Sequence, residues 1–403
     1  MRKSSMVAIW AASLALGMQL AAAKADVKFG ALYPLSGELA LLGEESLRGV
    51  ELAVEEINAA GGMKGEKITL VKGDAVDNNQ AIGETRRLIS VERVAAIFGT
   101  FSSARSMAAT QVAELSGVPY FELIAVSDDI TSRGFKYVFR ANPSSREFGA
   151  AAARAVSELV APAIGADPKT LRVAIIHEDS AFGSSVSKGQ VAVAKELGLN
   201  VVATMPYSAG VVDMSSIILR LQSEKVDVVL QTSYEKDTVL FLQQSKEIGF
   251  KPKAVIGAGG GYLLQPVADA VGHKVIQGAL VVAEAHYDIN PAAAPGLGAF
   301  VEAYKKKYGA APRSGHSLIN YAGAKAILEA LGKAPFLKAD DIRQAVMALD
   351  LPSGASAVGW GFKFDPNGQN QRAQMLAMQW QDGKLVTVFP KAAAVGQIVG
   401  PTK

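Results

Sequence analysis

Few stretches of the chain combine residue types and spacing suited to chemistry. In "FGTFSSARSMAATQVAEL" (98–115) a strand ends at Gly99 and a helix begins near Ala104, which sets Ser102 and Ser103 at a helix N-terminus. Hydroxyls and unpaired backbone N–H groups there meet the positive end of the helix dipole, a place suited to a carboxylate or another anion. A serine that merely caps the helix explains the same pattern. "AVIGAGGGYLLQPVADAV" (254–271) sets a glycine cluster between a strand and a helix, as phosphate-binding loops do. The spacing argues against a nucleotide: Gly257 and Gly259 fit G-x-G, but the sixth position is Tyr262. The cluster also follows several strands instead of opening the first βαβ unit, and no acid is read as closing a strand about twenty residues on.

Other chemistry finds little support. His177-Glu178-Asp179 and His286-Tyr287-Asp288 have metal-ligating types but read as polar strand ends. There is no H-E-x-x-H, no G-x-S-x-G elbow, no G-x-x-x-x-G-K-[ST] loop and no cysteine. The expectation is a protein that binds rather than transforms its ligand, without metal or cofactor.

The elements that must position these residues alternate. "VKFGALYP", "KITLVKGDA", "VAAIFG" and "VPYFELIA" read as strands, separated by helices in which Leu47, Val50, Val54 and Ile57 recur at helical spacing, and by helices over 81–90 and 104–116. After "FRANPSSREFG" the rhythm restarts with "LRVAIIHE", "NVVATMPY", "VDVVLQTS" and "KAVIGA", joined by helices over 184–197, 214–224 and 237–248. "GALVVAEA", a helical region over 298–333, a short helix "DIRQAVMAL" and an antiparallel tail turning at Asn367-Gly368 complete the chain. The pattern predicts an α/β protein of two lobes, each a mainly parallel sheet flanked by helices, with the ligand beyond the carboxyl ends of the strands.

The amino terminus places the chain in a compartment. "MRKSSMVAIWAASLALGMQLAAAKAD" carries two cations, an apolar run and small residues at Ala23-Lys24-Ala25, the pattern of a secretory signal peptide cleaved near Ala25. Its removal takes Arg2, Lys3 and Lys24, so the formal charge falls from +3 to 0. The basicity thus belongs to the targeting segment, and no basic cluster with interleaved aromatics suggests nucleic acid. The mature chain is expected in the periplasm as a soluble monomer, without disulfides.

One resemblance covers nearly the whole mature chain. "YPLSGELALLGEESLRGVELAVEEINAAGGMKGEKITLV", "FGTFSSARS", "GVPYF", "ITSRGFKYVFR", "RVAIIHEDSAFG", "VDMSSIILRLQSEKVDVVL" and "KFDPNGQ" resemble, in order, the leucine/isoleucine/valine-binding type of periplasmic solute-binding protein. The resemblance implies a type I periplasmic binding fold, one lobe from 26–143 and 282–370, the other from 144–281 and 371–403. It further implies a small carboxylate-bearing ligand buried by lobe closure, and delivery to the membrane permease subunits of an ATP-binding-cassette importer. Carried over by residue, Ser103 and the segment Ala125-Val126-Ser127 would hold the ligand carboxylate, with Ser102 beside them. Phe182, Tyr234 and Leu42 would line its pocket, and Gly259 would face it.

The departure from that pattern falls on the glycine cluster. Amino-acid-binding members carry an acid in this loop, paired with the ligand ammonium, whereas residues 257–261 here are Gly-Ala-Gly-Gly-Gly. Either the ligand lacks an ammonium, as aromatic and other organic acids do, or another acid serves. Asp128, Asp129 and Glu122 are the nearby candidates; the two aspartates also suit a turn before Ile130, and Glu122 stands out in an otherwise apolar strand. The glycines themselves would let a bulkier or uncharged ligand end approach the backbone. A sensor module that reports the same ligands to a receptor is the remaining alternative.

Overall fold

The computed structural model describes residues 26–400, so the expected signal peptide lies outside the described residues. Five strands form an all-parallel sheet: β1 (Val27–Tyr33), β2 (Ile68–Asp74), β3 (Ile97–Gly99), β4 (Tyr120–Glu122) and β5 (Val138–Arg140), in the order β2-β1-β3-β4-β5. A second sheet is built from β6 (Arg172–Glu178), β7 (Asn200–Tyr207), β8 (Val228–Thr232), β9 (Ala254–Ala258) and β10 (Leu280–Ala283). These five run parallel to their neighbours. A minor ribbon, β11 (Asp350–Leu351) with β12 (Phe362–Lys363), precedes the hairpin β13 (Leu376–Gln381) and β14 (Lys384–Phe389). That hairpin completes the larger sheet, β13 pairing antiparallel with β10, in the order β14-β13-β10-β9-β8-β6-β7.

Each sheet is sheathed by helices whose ends are locally encoded. Asp77 accepts from the Gln80 N–H at the head of the Asn78–Ser90 helix, Ser144 and Glu147 form a capping box on Ser145–Ala155, and Ser180 caps Ala181–Leu197. Gly198 and Gly249 end their helices in left-handed conformation. The Ala40–Ala59 helix packs on His316–Leu331 so closely that a Cβ on Gly49 would sit 2.0 Å from the Ser317 carbonyl oxygen. This contact returns the segment after β10 to the side of the smaller sheet, and β13 brings the chain back again.

The structure refines several expectations. The alanine-rich run after Pro143, unassigned from sequence, forms the Ser145–Ala155 helix, a π-helical turn (Val156–Val160) and a short helix (Ala161–Ile164). The region 298–333 is two helices, Leu297–Tyr308 and His316–Leu331, because Gly309 adopts positive φ and stops the first. The hairpin in the tail turns at Asp382-Gly383, both at positive φ, while 365–369 makes a separate turn. β10 keeps Val282 and Ala283 in the larger sheet, so a lobe limit drawn at 281/282 would cut through it. No helix among the described residues is long and apolar enough to cross a membrane.

Candidate functional site

The carboxyl ends of β3 and β4 in the smaller sheet and of β6, β8, β9 and β10 in the larger one lead into loops that face each other. Between them lies a narrow cavity with about 30 Å3 of room for the centres of water-sized molecules, enough for about one or two waters. The first sheet contributes Phe101, Ser102, Ser103, Ile124, Ala125 and Val126; His316 comes from the start of its helix. Phe148, Phe182, Tyr234, Gly259, Gly260 and Glu284 close the other side. The wall is largely aromatic: the Phe182 and Tyr234 rings lie 5.2 Å apart, and Phe101 stands 6.3 Å from Tyr234 and edge-on to His316 at 5.3 Å.

The serine end is built from two loops tied together. The helix begins at Ser103, one residue earlier than expected, and the Ser102 side chain does not cap it. The first-turn N–H groups therefore point outward without an intrahelical partner. Ser102 adopts φ +79, a conformation that costs a residue with a Cβ on the order of 1–3 kcal/mol and signals a constraint worth explaining. Ser102 and Tyr234 face each other across the cavity. Ser103 is buried, and its Oγ accepts from the Ser127 N–H at 3.1 Å.

Glu122 makes that arrangement rigid. Its Oε1 accepts from the N–H groups of Ile124 (3.0 Å) and Ala125 (2.8 Å), and its Oε2 from the Thr100 N–H (2.7 Å) and the Ser106 hydroxyl. One carboxyl thus fixes both serine-bearing loops. Burial pushes it up to about 7 despite these donors. The idea that Glu122 reaches the cleft is therefore corrected: backbone groups occupy it, and it does not line the cavity. Arg140, fully buried, adds a brace by donating to the Val126 and Ser127 carbonyls (2.6 and 2.5 Å) and to Gln369 on the returning segment (2.5 Å).

Of the residues singled out from sequence, Ser102, Ser103, Ala125, Phe182, Tyr234 and Gly259 meet at the cavity. Leu42 and Ser127 do not line it. Leu42 sits on the Ala40–Ala59 helix at 1% exposure within the apolar core, because helical periodicity turns it inward with Leu47 and Val50. Ser127 lies one residue beyond the wall, its buried hydroxyl without a hydrogen-bond partner. Asp128 and Asp129 open a 3-10 turn and also stay off the wall. Glu178 accepts from the N–H groups of Ser180 and Gly183 at a helix head, and the described residues contain no group of three or more His, Asp and Glu able to hold a metal.

The glycine cluster has a packing explanation. A Cβ at Gly260, where φ is +55, would lie 1.8 Å from the Ser233 carbonyl oxygen; at Gly257 it would meet the Tyr262 ring at 2.3 Å, and at Gly261 the Tyr234 carbonyl at 2.6 Å. Protein fills these positions, so room for a bulkier ligand end is not what the glycines provide there. They let the loop after β9 press against the head of the Glu235–Ile248 helix, which carries Tyr234.

Sequence reasoning passed over Phe101, Ile124, Val126, Phe148, Glu284 and His316. Glu284 closes β10, the strand after the glycine loop, and was discernible by the signal that exposed Glu122: a lone acid ending an apolar strand. It is 4% exposed, and burial pushes its carboxyl up to about 8. His316 is buried too and pushed down to about 4; its Nδ1 pairs with the Ser314 hydroxyl at 2.8 Å.

Two parallel α/β sheets facing each other across a cavity at their strand carboxyl ends define a solute-binding protein of the type I periplasmic binding fold. The family model for periplasmic binding protein matches residues 26–384, and the chain belongs to that family, which binds solutes and is not one of enzymes. It is similar to Leu/Ile/Val-binding protein homolog 7 of Brucella suis, 59% identical over 393 residues and 98% of each chain. It is also similar to homolog 8 of Brucella abortus, 57% identical over 377 residues and 94% of each. Among solved structures, the LivJ branched-chain amino acid transporter substrate-binding protein of Streptococcus pneumoniae, in complex with isoleucine, shares the fold at a TM-score of 0.77 and 22% identity, over 93% of this chain and 100% of that one. A solute-binding protein from R. palustris in complex with benzoate does so at 0.76 and 22%, over 93% and 99%.

Proposed function

We propose that the protein is the periplasmic substrate-binding component of an ATP-binding-cassette importer, capturing a small carboxylate-bearing solute with an apolar body, hydrophobic amino acids foremost. The observation that carries this reading is the cavity itself. An uncapped helix N-terminus with Ser102 and Ser103 suits a carboxylate, and the rest of the wall is mostly aromatic and aliphatic. In this reading Ala125 and Ser127 hold their loop for the carboxylate, and Phe182, Tyr234 and Gly259 enclose the apolar body. Leu42 contributes only from the core. The lobes would be 26–143 with the segment after β10 to 370, and 144 through β10 with 371–403. Ligand shifts the open–closed population because it touches both lobes only when they are closed. The names of the Brucella relatives support branched-chain amino acids, and importer permease subunits are the implied partners.

A second reading, aromatic or other organic acids, is favoured by the absence of an acid at 257–261. A thermal-shift panel separates them. Stabilisation by leucine, isoleucine, valine or phenylalanine, and none by benzoate or 4-methylpentanoate, supports amino acids; the reverse supports organic acids. A protein unmoved by every carboxylate would refute both.

A further inference from the structure

We infer that Glu284 is the group that receives a ligand ammonium, and that capture exchanges the proton on its carboxyl for that ammonium. This rests on the carboxylate-capture reading above and names the ligand class within it. The carboxyl lines the cavity at the end of β10, beside the loop after β9, which contributes glycines and no acid at 259–261. Among the described residues it has no hydrogen bond to another residue and no ion pair, in contrast to Glu122, whose oxygens are fully engaged. Burial is the leading influence on it, followed by its own backbone, and no neighbouring charge contributes.

The surroundings make the exchange necessary. The titratable groups sharing the cavity are His316, at the head of its helix, and Tyr234, at the head of the Glu235–Ile248 helix. The Ser145–Ala155 and Ala181–Leu197 helices present Phe148 and Phe182, and β13 pairs alongside through Leu376 and Ala377. No lysine or arginine lines the cavity. An ionised carboxylate buried here without a cation would be costly, so without a cationic partner Glu284 is held as the neutral acid. An incoming ammonium supplies the missing positive charge. Glu284 then gives its proton to solvent, the ammonium keeps its own, and one hydrogen-bonded ion pair forms. An acid without an amino group offers nothing to replace that proton.

The test compares the full mature chain with Glu284→Gln against L-leucine and 4-methylpentanoate, its counterpart without the amino group. Calorimetry runs in two buffers of different ionisation enthalpy at pH 7. The wild type is expected to release most of one proton on binding leucine, and the variant none. The substitution should weaken leucine about 100-fold or more, because it removes one partner of a buried charged pair, and leave 4-methylpentanoate unchanged or tighter. Leucine binding that survives the substitution, or proceeds without proton release in the wild type, overturns the inference. So does a wild type that takes only 4-methylpentanoate, although carboxylate capture would then stand. If neither probe nor any other carboxylate binds, the functional reading fails and this inference with it. Cooperative unfolding of the variant at or above the wild-type temperature excludes misfolding, and the wild-type proton count decides the matter independently.

Discussion

Glu122→Gln should separate an acid that builds the site from one that meets the ligand. Four donors converge on the Glu122 carboxyl: the N–H groups of Thr100, Ile124 and Ala125 and the Ser106 hydroxyl. The amide that replaces it keeps one acceptor oxygen. Whichever way it turns, its NH2 faces either the Ile124 and Ala125 N–H groups or the Thr100 N–H and the Ser106 hydroxyl. Only the hydroxyl can reverse its role and accept, so one or two backbone donors are left unpaired in a fully buried position. Each costs about 1–3 kcal/mol, and the total expected loss is roughly 1–6 kcal/mol, a large share of the 5–15 kcal/mol typical of a native fold. Denaturant unfolding of the ligand-free protein measures it, read as a lower midpoint at unchanged slope. Ligand affinity should fall as well, because the Ser102–Ser103 and Ala125–Ser127 segments lose their common anchor. Glu284→Gln, by contrast, should not lower the unfolding midpoint and should raise it near neutral pH, because it removes a carboxyl that burial holds protonated there. A Glu122→Gln protein within about 1 kcal/mol of the wild type would refute the assignment of this carboxyl as the brace of the site.

Further outcomes follow from the same contacts. Gly260→Ala must move the Ser233 carbonyl, 1.8 Å from the new Cβ, and adopt φ +55; a loss of about 2–4 kcal/mol is expected from overpacking and backbone strain together. Gly272→Ala, at positive φ but in open space, should lose about 1–3 kcal/mol from backbone strain alone, and thermal unfolding of both variants checks the difference. Ser103→Ala strips the Ser127 N–H of its acceptor, which predicts a loss of about 1–3 kcal/mol together with weaker carboxylate binding by calorimetry. In the ligand-free protein Glu284 and Glu122, raised to about 8 and about 7, keep their protons above the pH at which the unfolded chain, near the ordinary 4.5, has released them. The native state then binds more protons than the unfolded state, so these groups lower stability as pH rises from about 4.5 to about 8. His316, lowered to about 4, acts in the opposite sense, but only up to about 6.5. Thermal unfolding of the ligand-free protein should therefore fall between pH 6.5 and 8, less steeply in Glu284→Gln; a profile that is flat there, or equal in both proteins, would contradict the burial of Glu284.

The sequence by itself determined the α/β alternation, the two parallel sheets and most of the loops that meet at the cavity. These depend on local periodicity, caps and glycine stops, which a one-dimensional pattern records directly. The same pattern located Ser102 and Ser103 at a helix head, because strand–loop–helix order alone fixes such positions, whereas Tyr234 was reached only through the resemblance. Tertiary structure decided which acid faces which partner. Glu122 and Glu284 carry the same signal, a carboxylate ending an apolar strand, yet the loops after β3 and β4 fold back upon the first while the cavity opens onto the second. Likewise the glycines at 257–261 announced a close approach without naming what approaches, and the answer is the Ser233–Tyr234 backbone. Leu42 shows the converse: resemblance along the chain placed it near the ligand, and the packing of the Ala40–Ala59 helix turned it into the core. A chain encodes residue type and local geometry position by position, whereas the meeting of two loops from different sheets depends on how whole layers pack.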